Sequence, residues 1–387
     1  MMIAGAVALA HGMIDLYISF LHPLLPRIMN KLGLNIALAA TLAMTLSLAA
    51  SLVQPVMGAL ADRFGRRVFV VLGPLLTAVF MSMIGLAPNF GVLVLFLAFG
   101  GLGSAAFHPP GASMAASGGG KRMGTRYSMF SFGGALGYAL GPITAVTIVS
   151  RAGLDRLWLA MLPMLVIMPV LFFVFPSGEH ERATRHQHGP RPPILQLLRG
   201  PLGLVFGVSA VGAFIQRVFL TLQPIVVNRA GGSEATGAAL LSLYLGAQAI
   251  GSFFGGFMAD RMDRRKLLIY LSTLSLPAHA IAVWLPATHP AGLVATALAG
   301  FLNMALLPPI VLMAQELVPA GRSLGAGIVM GLAWAAGSVA MLAVGVLADG
   351  IGPQAAALYV MPTLLIGTVF AWRLPRASEE RRATSDD

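Results

Sequence analysis

Twelve stretches of about 20 or more predominantly apolar residues, each parted from the next by a short polar connector, constrain this chain more than any motif in it. Backbone placed in hydrocarbon must satisfy its own hydrogen bonds, so runs of this length fold as membrane-crossing helices. They lie near residues 2–29, 35–60, 68–87, 91–116, 125–150, 156–175, 201–228, 235–259, 267–286, 291–317, 323–348 and 353–374. Together they consume almost all of the 387 residues and leave no room for a soluble domain. The expected fold class is an all-α integral membrane protein of twelve transmembrane helices, arranged as two pseudo-symmetric six-helix bundles.

The formal charge of +11 points to topology rather than to a nucleic-acid partner. With the N-terminus in the cytoplasm, 19 of the 25 Lys and Arg fall in the inner connectors. Only Arg27, Lys31, Arg151, Arg156 and Arg229 fall in the outer ones, and Arg217 lies inside a span. The positive-inside rule then sets both termini in the cytoplasm of a bacterial inner membrane. The apolar start, Met1 to Ala10, lacks a basic leader and runs on through His11 and Asp15, so it reads as the first helix rather than a signal peptide.

Several functions are disfavoured. The chain has no cysteine, hence no disulfide and no thiolate metal centre. No HExxH spacing and no Walker motif occurs, and no nucleophile–base pair stands out; no cofactor, no metal and no enzymatic activity are expected.

The long hydrophilic stretch from Pro176 to Pro193 divides the spans six and six. The expected organisation is a first bundle over 1–175, a cytoplasmic linker over 176–200, and a second bundle with a short tail over 201–387. An internal repeat agrees. Gly58-Ala-Leu-Ala-Asp62-Arg63-Phe-Gly65-Arg66-Arg67 returns 198 residues later as Gly256-Phe-Met-Ala-Asp260-Arg261-Met-Asp263-Arg264-Arg265. His22-Pro23 matches Gln223-Pro224 at an offset of 201, and Pro109-Pro110 matches Pro308-Pro309 at 199.

The Gly-x-x-x-Asp-Arg-x-Gly-Arg-Arg pattern at 58–67, with its degenerate echo, resembles the loop signature of the major facilitator superfamily, and the resemblance runs over the whole chain. Narrower features, His11-Gly-Met-Ile-Asp15, Leu21-His22-Pro23, Gly103-Ser-Ala-Ala-Phe107-His108-Pro109 and Gln315-Glu316, resemble the fosmidomycin-resistance branch of drug exporters. That resemblance implies the major facilitator fold and proton-driven efflux. Gly133, Gly137, Gly141 and Pro142 resemble the fifth-helix motif of drug antiporters, although Thr144 and Ala145 replace its downstream glycines. Glycines four apart also permit close helix packing without any further role.

Polar residues inside spans are the candidates for transport chemistry, because an ionisable group at membrane depth is costly and seeks a partner or a water-filled cavity. His11, Asp15 and His22 fall on one face of the first span, spaced by 4 and 7. Burial and pairing act in opposite senses on such groups, so Asp15 with His11 is expected to exchange protons; a static hydrogen-bonded pair is the alternative. Expected substrate-binding residues are His22, Ser104, His108, Gln216, Arg217, Gln223 and Asn303. Arg217 stays charged and is expected either to attract an anion or to compensate Asp15 across the bundle interface. Pro109-Pro110 and Pro308-Pro309 are expected to interrupt the fourth and tenth helices near a central site. Asp62, Arg63, Arg66, Arg67, Asp260, Arg261, Arg264 and Glu316 are expected to form a cytoplasmic gate, with Glu316 pairing with Arg264 or Arg322.

The expected partners are a small-molecule substrate, protons and the lipid bilayer, with no nucleic acid, and the protein is expected to be a monomer. Proton-coupled efflux of a small drug-like or anionic compound by alternating access is the leading expectation. A uniporter or proton symporter importing an organic anion or sugar shares the fold, and a transporter-derived membrane sensor stands as the alternative from another class.

Overall fold

The computed structural model describes residues 2–116, 123–175, 194–318 and 322–375; the side chains of Asp62, Ala116, 123–128, Arg322 and Ser323 are also outside the description. The inter-bundle stretch 176–193 and the C-terminal tail therefore lie outside it.

Twelve helices are long and apolar enough to cross a membrane: Met2–Leu32, Ile36–Ala61, Arg66–Leu86, Phe90–Ala115, Met129–Ala152, Leu154–Val174, Pro201–Arg229, Glu234–Ala259, Arg264–Trp284, Pro290–Leu317, Leu324–Ile351 and Pro353–Arg373. They are referred to below as the first to the twelfth span. The first six pack together and so do the last six; between the bundles the second span meets the eleventh, the fifth meets the eighth, and the outer part of the first meets the seventh.

Small residues bring the helices close. A Cβ on Gly133 would overlap the Ala8 carbonyl, one on Gly137 the Gly12 carbonyl, and one on Gly141 the Ser19 hydroxyl, so the glycine ladder of the fifth span seats directly against the first. The eighth and tenth spans use the same device, with Gly251 and Gly255 against the carbonyls of Phe301 and Ala305.

The helices are broken in some of the expected places and not in others. The first span breaks at Ser19–Phe20, between Met2–Ile18 and Leu21–Leu32, just before His22-Pro23. The tenth breaks at Leu306, and Pro308 and Pro309 start the new helix, where a missing N–H costs nothing. The fourth span does not break: Phe90–Ala116 is one helix through Pro109 and Pro110, which corrects the expected interruption there. Packing on both sides holds a membrane helix together when only two of its backbone donors are missing. In the eleventh span a π turn over Ile328–Leu332 precedes Ala333–Ile351, and the Ser209 hydroxyl donates to its Val329 carbonyl at 2.5 Å.

The bundles are tied together at the end opposite the termini. Arg27 Nε donates to Glu234 at 2.7 Å, and Asp349 of the eleventh span accepts from the backbone amides of Ile36 at 2.8 Å and Ala37 at 3.0 Å. Nearer the middle, the hydroxyls of Ser47 and Ser338 meet at 2.7 Å. The second span shows the consequence along its length. Its outer helix buries Ile36, Ala39, Ala40, Leu42, Ala43, Leu46 and Ser47, whereas within Gln54–Phe64 only Ala61 is buried among the described side chains. The end that carries the termini is thus the uncovered end.

Candidate functional site: a His–Asp–His cluster facing an arginine

The first, fourth and fifth spans converge on three titratable groups. His11 Nε2 lies 3.2 Å from Asp15 Oδ2, His108 Nε2 lies 3.5 Å from Asp15 Oδ1, and the two Nε2 atoms are 3.2 Å apart. The other ring nitrogens face carbonyls: His11 Nδ1 meets Phe130 O at 2.7 Å, and His108 Nδ1 meets Ser104 O at 2.8 Å. Carbonyl oxygens only accept, so each Nδ1 carries a hydrogen and each neutral ring would present a bare Nε2 to the other and to the carboxylate. Three acceptors cannot face one another at 3.2–3.5 Å without a donor among them. The three groups are thus placed so that a hydrogen can be shared among them. The ligand atoms of the three groups lie within 4.8 Å of one another, a grouping whose donor types also occur at metal sites.

Packing fixes the triad. The His11 ring stacks on Phe130 with centroids 4.0 Å apart and leans on Phe107 at 5.7 Å. Gly134 passes so close that a Cβ there would strike the imidazole. The Asp15 side chain keeps 19% of its surface exposed, so the buried pair opens on one side.

Across the bundle interface stands Arg217 of the seventh span. Its guanidinium lies 5.9 Å from the Trp334 ring centroid and meets the Tyr138 hydroxyl of the fifth span, which also feels the Asp15 charge. No carboxylate among the described residues pairs with Arg217, because Asp15 is engaged by the two histidines; the expected compensation of Asp15 by Arg217 is not a direct ion pair. His22 is buried and has Arg217 as its charged neighbour.

The remaining expected binding residues separate into two groups. Gln216 donates to Gln248 at 2.9 Å, Gln248 donates to Asn303 at 3.2 Å, and Asn303 donates to the Gly212 carbonyl at 3.0 Å, a closed amide chain beneath Arg217. Gln248 escaped the sequence reading, although a glutamine in the middle of an apolar span was its signal. Gln223 is not brought to the centre: with Arg229, Thr236 and Gln354 it lines a pocket at the outer end of the second bundle.

Of the expected gate residues, Arg264 pairs with Glu316 at 2.5 Å, as the sequence suggested. Arg67 donates to the Phe172 carbonyl through Nε at 2.7 Å, and Nη2 contacts the same oxygen. Arg265 does the same to Trp372 O, at 3.2 and 2.5 Å. Each bundle thus uses one arginine of its repeated loop to clasp the end of its own last helix. Arg63 lies over Phe64 and Arg261 over Phe257; Asp260 ends the eighth span and is exposed; Arg66 is partly buried. The Asp62 and Arg322 side chains lie outside the described residues. The acids that join the bundles, Glu234 and Asp349, were missed, since an acid at a helix end in a connector looks merely solvated.

Two six-helix bundles with polar groups at their interface have the architecture of multi-pass membrane carriers. The sequence model of the Major Facilitator Superfamily matches residues 7–238 and 205–387, and the chain belongs to that superfamily. It is 27% identical to the fosmidomycin resistance protein of Escherichia coli over 90% of this chain and 86% of that one. It is also 27% identical to the MFS-type transporter YfnC of Bacillus subtilis, over 95% and 91%. Its fold is similar to that of a bacterial homologue of the human lysosomal transporter Spinster, solved inward-facing and unoccupied, with a TM-score of 0.80 at 16% identity over 96% of this chain and 95% of that one.

Proposed function

We propose that the protein is a proton-coupled exporter of small drug-like compounds that works by alternating access, with Asp15 and His11, joined by His108, carrying the coupling proton. The observation that carries this reading is the triad, which sets a carboxylate and two imidazoles within about hydrogen-bonding reach of one another, as a proton-carrying site needs. Efflux is supported by the likeness to a fosmidomycin resistance protein. The bundles of residues 1–175 and 201–387 are the bodies that rock, joined by the stretch 176–200. The positive-inside count supports a bacterial inner membrane with both termini cytoplasmic, which makes the uncovered end the cytoplasmic one. The protein works as a monomer with no cofactor. The Arg264–Glu316 pair and the arginine clasps belong to the cytoplasmic face.

A second reading is favoured by the uncompensated Arg217: import of an organic anion together with a proton. An anion beside an ionised Asp15 is repelled, and beside a protonated one it is not, so the two would enter together.

Proteoliposomes under an imposed pH gradient decide between them, following a labelled phosphonate antibiotic and a lipophilic cation. Accumulation against the direction of the proton gradient supports the exporter. Accumulation with it favours the second reading, and transport indifferent to the gradient overturns both.

A further inference from the structure

Three polar atoms on the packed helices Leu21–Leu32 and Pro201–Arg229 are buried without a hydrogen-bond partner: His22 Nδ1, Arg217 Nε and Thr221 Oγ1. They converge. Arg217 is the charged neighbour of His22, and Thr221 lies one turn beyond Arg217 on the same helix face. His22 and Thr221 are almost wholly buried, at 4% and 0% exposed. A buried donor left unpaired costs about 1–3 kcal/mol, and more when it is charged, so three on two packed helices point to a partner that comes and goes.

The charge states what that partner is. Arg217 is a fixed cation. Asp15, the nearest acid along the first span, already has both oxygens engaged by His11 and His108. The Trp334 ring and the Tyr138 hydroxyl both neighbour the guanidinium, and its Nε has no hydrogen-bond partner. The π turn just before Trp334, anchored by Ser209, carries that ring to the site.

We propose that Arg217, His22 and Thr221 form the receptor for one oxyanion group of the substrate, a carboxylate, phosphate or phosphonate, with the Trp334 face covering the adjoining part of the molecule. The guanidinium Nε and a terminal nitrogen supply a two-pronged donor edge, His22 Nδ1 donates a third hydrogen bond, and the Thr221 hydroxyl a fourth. This rests on the bundle interface being the substrate path and is independent of the direction of transport or its coupling to protons.

The test is binding by the purified full-length protein at constant pH, with no gradient. Methylphosphonate is the probe, its neutral dimethyl ester the control, and thermal unfolding together with tryptophan fluorescence the readouts. The wild type is expected to gain several degrees of thermal stability with methylphosphonate and none with the ester, and Trp334→Phe should remove the fluorescence change. Arg217→Gln should abolish the gain and His22→Asn weaken binding about tenfold, the loss of one charge-assisted or strong hydrogen bond. Without ligand, Arg217→Gln should unfold no earlier than the wild type, because it removes an uncompensated cation; an arginine that only holds the helices together predicts earlier unfolding and would overturn the proposal. A parallel arm adds phosphatidylglycerol or phosphatidylcholine. Stabilisation by phosphatidylglycerol alone, with none from methylphosphonate, would mean that a lipid headgroup fills the site and also overturns it. Proton-driven transport found alongside a wild type indifferent to methylphosphonate defeats this inference and leaves the proposed function standing.

Discussion

The carboxylate of Asp349, at the end of the eleventh span, caps the second span by accepting from the backbone amide of Ile36 at 2.8 Å. Its other oxygen takes the Ala37 amide at 3.0 Å, and Asn35 takes Leu38 at 2.9 Å, so consecutive unpaired amides at that helix start are all met. Two of these bonds cross from one bundle to the other. They exist only while the outer end is closed, and an anion at a helix N-terminus also gains from the helix dipole.

Asp349→Ala should therefore shift the protein toward its outward-open form. Losing a cap of this kind costs about 1 kcal/mol, a change of roughly fivefold in the balance of the two states. The chain has no cysteine, so Ser47→Cys can be introduced alone as a reporter beneath the closure. Labelling of that cysteine by an impermeant maleimide from the outer side should rise severalfold in the Asp349→Ala background; unchanged labelling would mean that the cap does not hold the closure.

Gly134→Ala should cost more than a methyl group suggests. The added Cβ would strike the His11 ring, which stacks on Phe130, leans on Phe107 and is tied by Nδ1 to the Phe130 carbonyl. Overpacking of this kind destabilises by about 1–3 kcal/mol. The expected result is a lower unfolding temperature together with weakened proton-driven transport. Normal transport by a normally stable variant would show that the triad tolerates displacement.

The two arginine clasps should be interchangeable in their effect. Arg67→Gln and Arg265→Gln each remove a charge-assisted bond to the end of the last helix of a bundle, worth about 1 kcal/mol at an exposed site. The clasps lie in different bundles and share no partner, so the double variant should lose the sum of the two. Thermal unfolding of the three variants measures this, and a marked departure from additivity would mean that the clasps communicate.

The sequence reading reached the architecture because its signal is length and apolarity, which survive any packing. The spans fall within a few residues of expectation, and the repeated loops place Arg67 and Arg265 in equivalent clasps. His11 and Asp15 were legible as a pair because a helix sets residues four apart on one face. Their junction with His108 was not, since it depends on how the fourth span packs against the first. The prolines misled in the fourth span because a local rule cannot see the neighbours that hold a membrane helix intact. Gln223 shows the same limit: a helical face is periodic, but its depth and its neighbours belong to the assembled bundle.

The central claim is that Asp15 carries the coupling proton, and comparing wild type with Asp15→Asn in proteoliposomes under an imposed pH gradient tests it most directly. The account predicts that Asp15→Asn loses gradient-driven accumulation of the labelled phosphonate while still exchanging it between equal pools on the two sides. Gradient-driven accumulation that survives in Asp15→Asn would contradict it.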